Sequence, residues 1–336
     1  RADISHFAQA IIALFRAPIE CAQEKIFQGL NIGIASSLRD GNNPQALLSN
    51  AHSAAKEAKR RGINTFAFFA PEYNLEAKQL LRLDAELRTA IARDELSLYL
   101  QPKIDATSGR VIGAEALLRW HSANLGQISP DVFIPVAERS ELILEIGQWV
   151  INQACAETRL LHEAGYQDFK LALNVSAEQF QHGNLIMDLK QALAQHHLQG
   201  KHIELEITES LLLQQTESLC EQFGAIKQLG TSVAIDDFGT GYSSLAYLRK
   251  FAFDTLKIDR SFVMHLPDDA EDGKLVEGLL ALGHSLGLNV VAEGLETEAQ
   301  VQFLRERGCN IFQGYYFSRP MPAAEFHDWL RDYQDP

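Results

Sequence analysis

Cysteine is scarce. Cys21, Cys155, Cys220 and Cys309 are scattered, with no Cys-x-x-Cys pair and no histidine at ligand spacing. A disulfide framework and a zinc site are therefore not expected, and the thiols read as reduced, in a cytoplasmic setting. No apolar run approaches the ~18 residues that cross a bilayer, and there is no leader pattern. Positive charge is also short, 30 Lys and Arg against 44 Asp and Glu, a formal charge of −14. That argues against DNA or RNA polymers as partners, because neutralising a phosphate backbone needs a basic face. A nucleotide ligand would instead rely on metal ions for much of its counter-charge. No glycine-rich dinucleotide fingerprint is present. The chain starts at Arg1 rather than Met and reads as a piece of something longer, with room upstream for a sensor or membrane segment.

What is present is enough apolar matter for a sizeable core, 46% of 336 residues, in one large α/β domain or one domain plus a fragment. Residues 1–72 read as a small partial α/β segment. Helical periodicity covers 7–15, strand alternation 26–34, a helix 45–61 begins at Asn42-Asn43-Pro44 and stops at Gly62, and a second strand covers 64–69. Asn74 can cap a helix over 75–93, with Leu75, Leu80, Leu83, Leu87 and Ile91 near one face, as the connector into residues 94–336.

From Glu95 onward short apolar runs alternate with helical stretches: LSLYLQPKI, VIGAEALL, KLALNV, HIELEIT, SVAID, TLKID, NVVAEG and CNIFQG. The intervening helices are expected at 131–164, 177–196, 214–228, 274–287, 297–307 and 323–333. Eight strands in this order predict a TIM-like (β/α)8 barrel. The six residues between the first two runs are too few for a crossover helix, so those strands should be antiparallel. An open doubly wound sheet is the alternative.

In such a barrel the reacting groups sit at the C-terminal ends of different strands. Those ends carry Glu115, Arg119, Asn174, Glu206, Glu209, Asp236, Asp237, Lys257, Glu293, Glu296 and Gln313. Any one of them alone reads as a helix cap or a solvated side chain. Seven carboxylates converging on one mouth are severely unfavourable without cations. Oxygen donors lacking Cys and His favour Mg²⁺ or Mn²⁺. Two ions sharing one carboxylate, with Asp236 the natural bridge and Asp237 on the second ion, is an arrangement suited to phosphoryl transfer. Lys257 could orient the attacking water or stabilise an oxyanion.

The motifs GAEALLRW, YLQPKID, LNVS, ELEITES, DDFGTGYSSL, LKIDRSF, VVAEGLET and QGYYFSRP stand in the order found in EAL domains, and residues 95–336 resemble that cyclic di-GMP phosphodiesterase family. The resemblance implies a barrel with its first strand reversed that hydrolyses cyclic di-GMP to linear pGpG with Mg²⁺ or Mn²⁺. It implies Glu115, Asn174, Glu206 and Asp236 around a first ion, and Asp236, Asp237 and Glu293 around a second. Lys257 and Glu293 would act on the water, and Glu209 would hold the DDFGTGYSS loop. Gln101, Glu115, Leu118, Arg119, Asn174, Asp236, Lys257, Glu296 and Gln313 would face the substrate. Whether Glu293 is a base or a metal ligand stays open, as does whether Tyr315 to Phe317 form a guanine-facing wall or core. The family also contains non-hydrolysing receptors, but no matched motif position is substituted here. A homodimer through helices flanking the DDFGTGYSS loop is implied as well. Residues 5–70, with FRAPI, LNIGIASSLRDG and LLSNAHSAAKEAKRRGINTFAFF, are similar to the second half of a GGDEF domain, without its signature turn.

Overall fold

The computed structural model describes residues 2–21, 24–37, 39–212, 217–239, 248 and 251–334. The chain divides into two compact units, Arg1–Ala85 and Glu86–Pro336. Among the described residues no helix is long and apolar enough to cross a membrane.

In the first unit a helix, Ala2–Leu14, precedes an antiparallel hairpin of β1 (Ile19–Cys21) and β2 (Glu24–Ile26). Strand β3 (Ile32–Ile34) then pairs in parallel with β4 (Phe66–Phe68), and helix Pro44–Arg60 makes the crossover. That helix starts where its sequence predicts: the Asn43 side chain accepts from the Ala46 amide at 2.8 Å and Pro44 occupies the first turn. It lies so close to β3 that a Cβ on Gly33 would sit 2.0 Å from the Ala51 carbonyl oxygen. The expected single strand over 26–34 is interrupted, with strand only at its two ends.

The expected connector helix runs over Pro71–Leu87, four residues earlier than Asn74 suggests. Pro71, with its fixed φ and missing N–H, starts it. The Asn74 amide is used otherwise, donating to Asn50 Oδ1 and accepting from Ser53 Oγ, both at 2.7 Å.

The second unit is a closed ring of eight strands: β5 (Leu96–Asp105), β6 (Val111–Ser122), β8 (Lys170–Asn174), β9 (Ile203–Thr208), β10 (Ser232–Phe238), β11 (Thr255–Ile258), β12 (Asn289–Ala292) and β13 (Ile311–Phe312). Strand β5 runs antiparallel to both β6 and β13, and the other neighbours are parallel, so the reversed first strand is borne out. Two short strands extend the ring: β7 (Gly126–Ile128) on β6 and β14 (Met321–Pro322) on β5.

Helices pack around the ring and bury a continuous apolar layer that includes Leu171, Leu205, Val233, Leu256, Val290 and Phe312. Two expected helices are broken in two. The stretch 131–164 divides into Pro130–Arg139 and Leu142–Glu163, with Glu141 in the left-handed region at φ 60°. The stretch 177–196 divides at Gly183 into Ala177–His182 and Leu185–Gln195. The helix expected over 214–228 is described from Glu217 to Gln228.

Candidate active site

Period-two alternation puts the key side chains inside the ring. Glu115 on β6 stands opposite Gln101 on β5, and Asn174 on β8 stands beside Glu206 on β9. Strand β10 departs from alternation at its acidic pair. Ile235 pairs with Leu256 and Phe238 with Ile258, so the Asp236-Asp237 segment has one residue more than its partner, a β-bulge. Asp237 takes the left-handed conformation at φ 54°, which Asp tolerates better than most side chains. Asp236 is buried and Asp237 exposed.

At the centre stands Lys257 of β11, 1% exposed. Its ammonium lies 2.5 Å from Glu206 Oε2, 2.7 Å from Glu293 Oε1, 3.1 Å from Asp236 Oδ2 and 3.7 Å from Glu115 Oε2. Glu115 accepts two amides, Asn174 Nδ2 at Oε1 and Gln313 Nε2 at Oε2, each at 2.6 Å. Gln313 also donates to Gln101 Oε1 at 3.1 Å, and Gln101 donates to the Ser318 carbonyl at 3.3 Å. Asp236 Oδ1 accepts from the Asp237 amide at 2.9 Å. Glu209 Oε2 accepts from the Gly239 amide at 3.4 Å, within the DDFGTGYSS loop that Glu209 is expected to hold; residues 240–244 of that loop lie outside the described residues.

Acids outnumber the ammonium groups among them. Burial raises the pKa of Glu115, Asp236 and Glu293, and neighbouring carboxylates add to the effect against the pull of Lys257; Glu293 is pushed up to about 8. Burial and Asp259 likewise raise Asp237. Glu206 behaves oppositely: burial would raise it, but the ammonium groups of Lys103 and Lys257 hold it down at about 2. Among the described residues no three acids form a ready-made ion cage. The donor set is nevertheless carboxylates and an amide, short of positive charge, and it fits hard divalent cations.

The remaining sequence candidates lie away from this centre. Arg119 is half-buried, with its guanidinium over the Tyr99 ring at 5.3 Å and Nη1 donating to the Leu118 carbonyl at 2.9 Å. Leu118 and Arg119 line a cavity of about 330 Å³ with Ile134, Ile143, Asn174 and Glu206, which joins them to the site. Glu296 is exposed and binds Arg260 Nη2 at 2.7 Å. The aromatic run divides: Phe317 stacks on the core residue Phe312, whereas Tyr315 and Tyr316 are 44% and 43% exposed.

The sequence reading missed Lys103 and Glu204. Lys103 Nζ lies 2.6 Å from Glu206 Oε1 and 3.1 Å from Glu204 Oε1. The signal was there in strand alternation, because Lys103 is two residues from Gln101 and Glu204 two from Glu206.

Comparison with known proteins gives this geometry a context. The chain is 40% identical over 324 residues to the bifunctional diguanylate cyclase/cyclic di-GMP phosphodiesterase MucR of Pseudomonas aeruginosa, covering 96% of this chain and 47% of MucR. It is 37% identical over 327 residues to the cyclic di-GMP phosphodiesterase NbdA of the same organism, covering 97% of this chain and 42% of NbdA. The chain thus spans about half the length of these relatives. The solved PaMucR phosphodiesterase in complex with c-di-GMP superposes with a TM-score of 0.70 at 44% identity, over 73% of this chain and 99% of that one. The EAL enzyme Bd1971 bound to cAMP and cyclic di-GMP gives 0.72 at 32% identity, over 76% and 70%. The EAL domain family model matches residues 84–320, which contain the whole carboxylate cluster around Lys257, and the chain belongs to that family.

Proposed function

We propose that the barrel hydrolyses cyclic di-GMP to linear 5′-pGpG with Mg²⁺ or Mn²⁺. The observation that carries this is the packing of four carboxylates within 4 Å of one buried ammonium group at the strand ends, in a barrel 44% identical to a phosphodiesterase solved with c-di-GMP. Glu115, Asn174, Glu206 and Asp236 would hold a first ion, and Asp236, Asp237 and Glu293 a second. Bound there, the ions supply positive charge to the attacked phosphate and acidify water.

The chain's own groups do the rest. Lys257 keeps a fixed positive charge beside the carboxylates and can donate to an oxygen on which charge develops. Glu293, 2.7 Å from it, is the side chain paired with Lys257 in handling the water proton. Glu209 fixes the start of the loop after Asp237 through the Gly239 amide. Arg119 brings positive charge for a substrate phosphate, Leu118 an apolar wall, and Glu296 and Arg260 a charged rim. Gln101 and Gln313 offer amides, and the buried Gln313 Oε1 has no partner among the described residues, so a bound donor would satisfy it.

In our reading the unit works in the cytoplasm and pairs through its barrel as a homodimer, with a sensor or membrane segment upstream. Residues 1–72 act as a partial GGDEF-like segment; the match to the bifunctional MucR over 96% of this chain supports this. The test is pGpG release with added Mg²⁺ or Mn²⁺. Glu115→Ala or Asp236→Asn should lower it by roughly a hundredfold or more, the scale of losing one transition-state charge contact. Tight binding of the dinucleotide with no pGpG after long incubation with metal would make the barrel a receptor instead.

A further inference from the structure

The reactions just described leave one buried ion pair unused. Lys103 on β5 and Glu204 on β9 are each 4% exposed and inside the ring; Lys103 is two residues beyond Gln101, and Glu204 two residues before Glu206. Glu206 is held by two ammonium groups on its two oxygens: Lys103 takes Oε1 at 2.6 Å and Lys257 takes Oε2 at 2.5 Å. The two lysines are not equivalent. The Lys257 ammonium is divided among four carboxylates, all at the mouth. Among the described residues Lys103 is shared between Glu206 and Glu204, and Glu204 has on its other oxygen Thr255 Oγ1 at 2.9 Å and the half-exposed Lys170 ammonium at 3.9 Å.

We propose that Lys103 is a positioning residue that clamps Oε1 of Glu206 from below, so that this carboxylate presents Oε2 to a divalent cation at the mouth, while Glu204 cancels the Lys103 charge. This rests on the metal-dependent hydrolase reading. A cation arriving among Glu115, Glu206 and Asp236 competes with Lys257 for Oε2 and leaves the Lys103 contact untouched. Glu206 therefore keeps one fixed anchor whatever Lys257 does. Glu204 follows from the same logic: an uncompensated ammonium group beside the site would repel the cation it is meant to help bind. A buried ion pair serving only stability would be a poor choice here, since apolar residues of similar volume commonly do as well or better.

Lys103→Met alone leaves the buried Glu204 with only the more distant Lys170 ammonium, at 3.9 Å, and so changes the charge inside the ring; it is poorly suited to the test. The charge-neutral double variant Lys103→Met/Glu204→Gln removes the clamp without changing net charge. Its fold is checked by circular dichroism and thermal melting, and Mn²⁺ binding by isothermal titration. The expected result is a folded protein whose Mn²⁺ dissociation constant rises about tenfold or more, the usual consequence of removing a group that orients a metal ligand. At saturating Mn²⁺ its KM for cyclic di-GMP should stay within about threefold of the native value, a split that general loosening of the barrel would not produce. A folded double variant that binds Mn²⁺ as tightly as the native protein overturns the clamp. So does one that loses only dinucleotide affinity. Native protein that neither binds Mn²⁺ nor releases pGpG overturns the hydrolase reading itself, which is a distinguishable outcome.

Discussion

Lys257→Met is the sharpest perturbation of the site. Methionine keeps most of the length of the side chain and removes the charge. In the native protein that charge stands within 4 Å of Glu115, Glu206, Asp236 and Glu293, and among the described residues only Glu206 has a second ammonium group on it. Breaking a buried ion pair by deleting one partner costs about 3–5 kcal/mol. For a domain of this size each kcal/mol shifts the melting temperature by about 2–4 °C, so in EDTA the variant should melt roughly 6–20 °C below the native protein.

Divalent ions should reverse most of that loss. A ligand at a hundred times its dissociation constant stabilises by about 2.7 kcal/mol. The variant also no longer has an ammonium group competing for the same oxygens. Differential scanning fluorimetry with EDTA, and then with the same Mn²⁺ concentration for both proteins, about a hundredfold the dissociation constant of the variant, should show a larger metal-induced shift in the variant than in the native protein. Release of pGpG should be lost in both conditions. A variant in EDTA that melts within about 2 °C of native, or one that gains nothing from Mn²⁺, would refute the picture of acids held together by one ammonium group.

Arg119→Ala should weaken cyclic di-GMP binding more than Mn²⁺ binding, because the guanidinium touches Tyr99 and the Leu118 carbonyl rather than the acid cluster; titration showing unchanged dinucleotide affinity contradicts this. Gly113→Ala should destabilise the barrel by ~1–3 kcal/mol, since its Cβ would lie 2.4 Å from the Lys170 carbonyl oxygen across the β6–β8 pairing; a melting temperature equal to native would show that the strands can part without cost. His202 is held to about 4 by burial, with His162 and Lys201 adding to the effect, and its Nδ1 accepts from the Gln199 amide at 3.3 Å. The unfolded chain therefore binds this proton first, and the contribution of His202 to stability, present above about pH 6.5, is lost as pH falls toward 4. His202→Gln should make the fall in melting temperature between pH 6.5 and 4.5 shallower, and an unchanged slope would rule out the histidine as its source.

What could be read from the sequence, and what could not, separates along a physical line. Strand existence and order were legible because each barrel strand is an apolar run bounded by polar ends. The reversed β5 was legible because six residues cannot cross a barrel. Helix continuity was not. The apolar spacing persists across Glu141 and Gly183, and the breaks are set by backbone conformation, a left-handed residue in one case and an extended glycine in the other. The start of helix Pro71–Leu87 was missed because Asn74, a good cap in isolation, is taken up by Asn50 and Ser53, more than 20 residues away in the chain.

The candidate site divides in the same way. Polar interruptions of an apolar run near the loops announce themselves, and Glu115, Asn174, Glu206, Asp236, Lys257 and Gln313 do come together, although Glu115 and Glu206 lie inside β6 and β9 rather than at their last residues. Lys103 and Glu204 fall inside their strands, where a charge reads as the solvent face of an alternating pattern. Only closure of the ring turns that face inward, and only then does a Lys two residues from a Gln become the lower support of a carboxylate contributed by a different strand. A barrel interior is thus a place where period-two alternation has to be read with its sign reversed: the charged face is the buried one, and its charges must be paired across strands. Lys103 with Glu204 and Lys257 with Glu206 meet that requirement. Glu115, Asp236 and Glu293 are left with a share of one ammonium group, and that deficit is what cations at the mouth would fill.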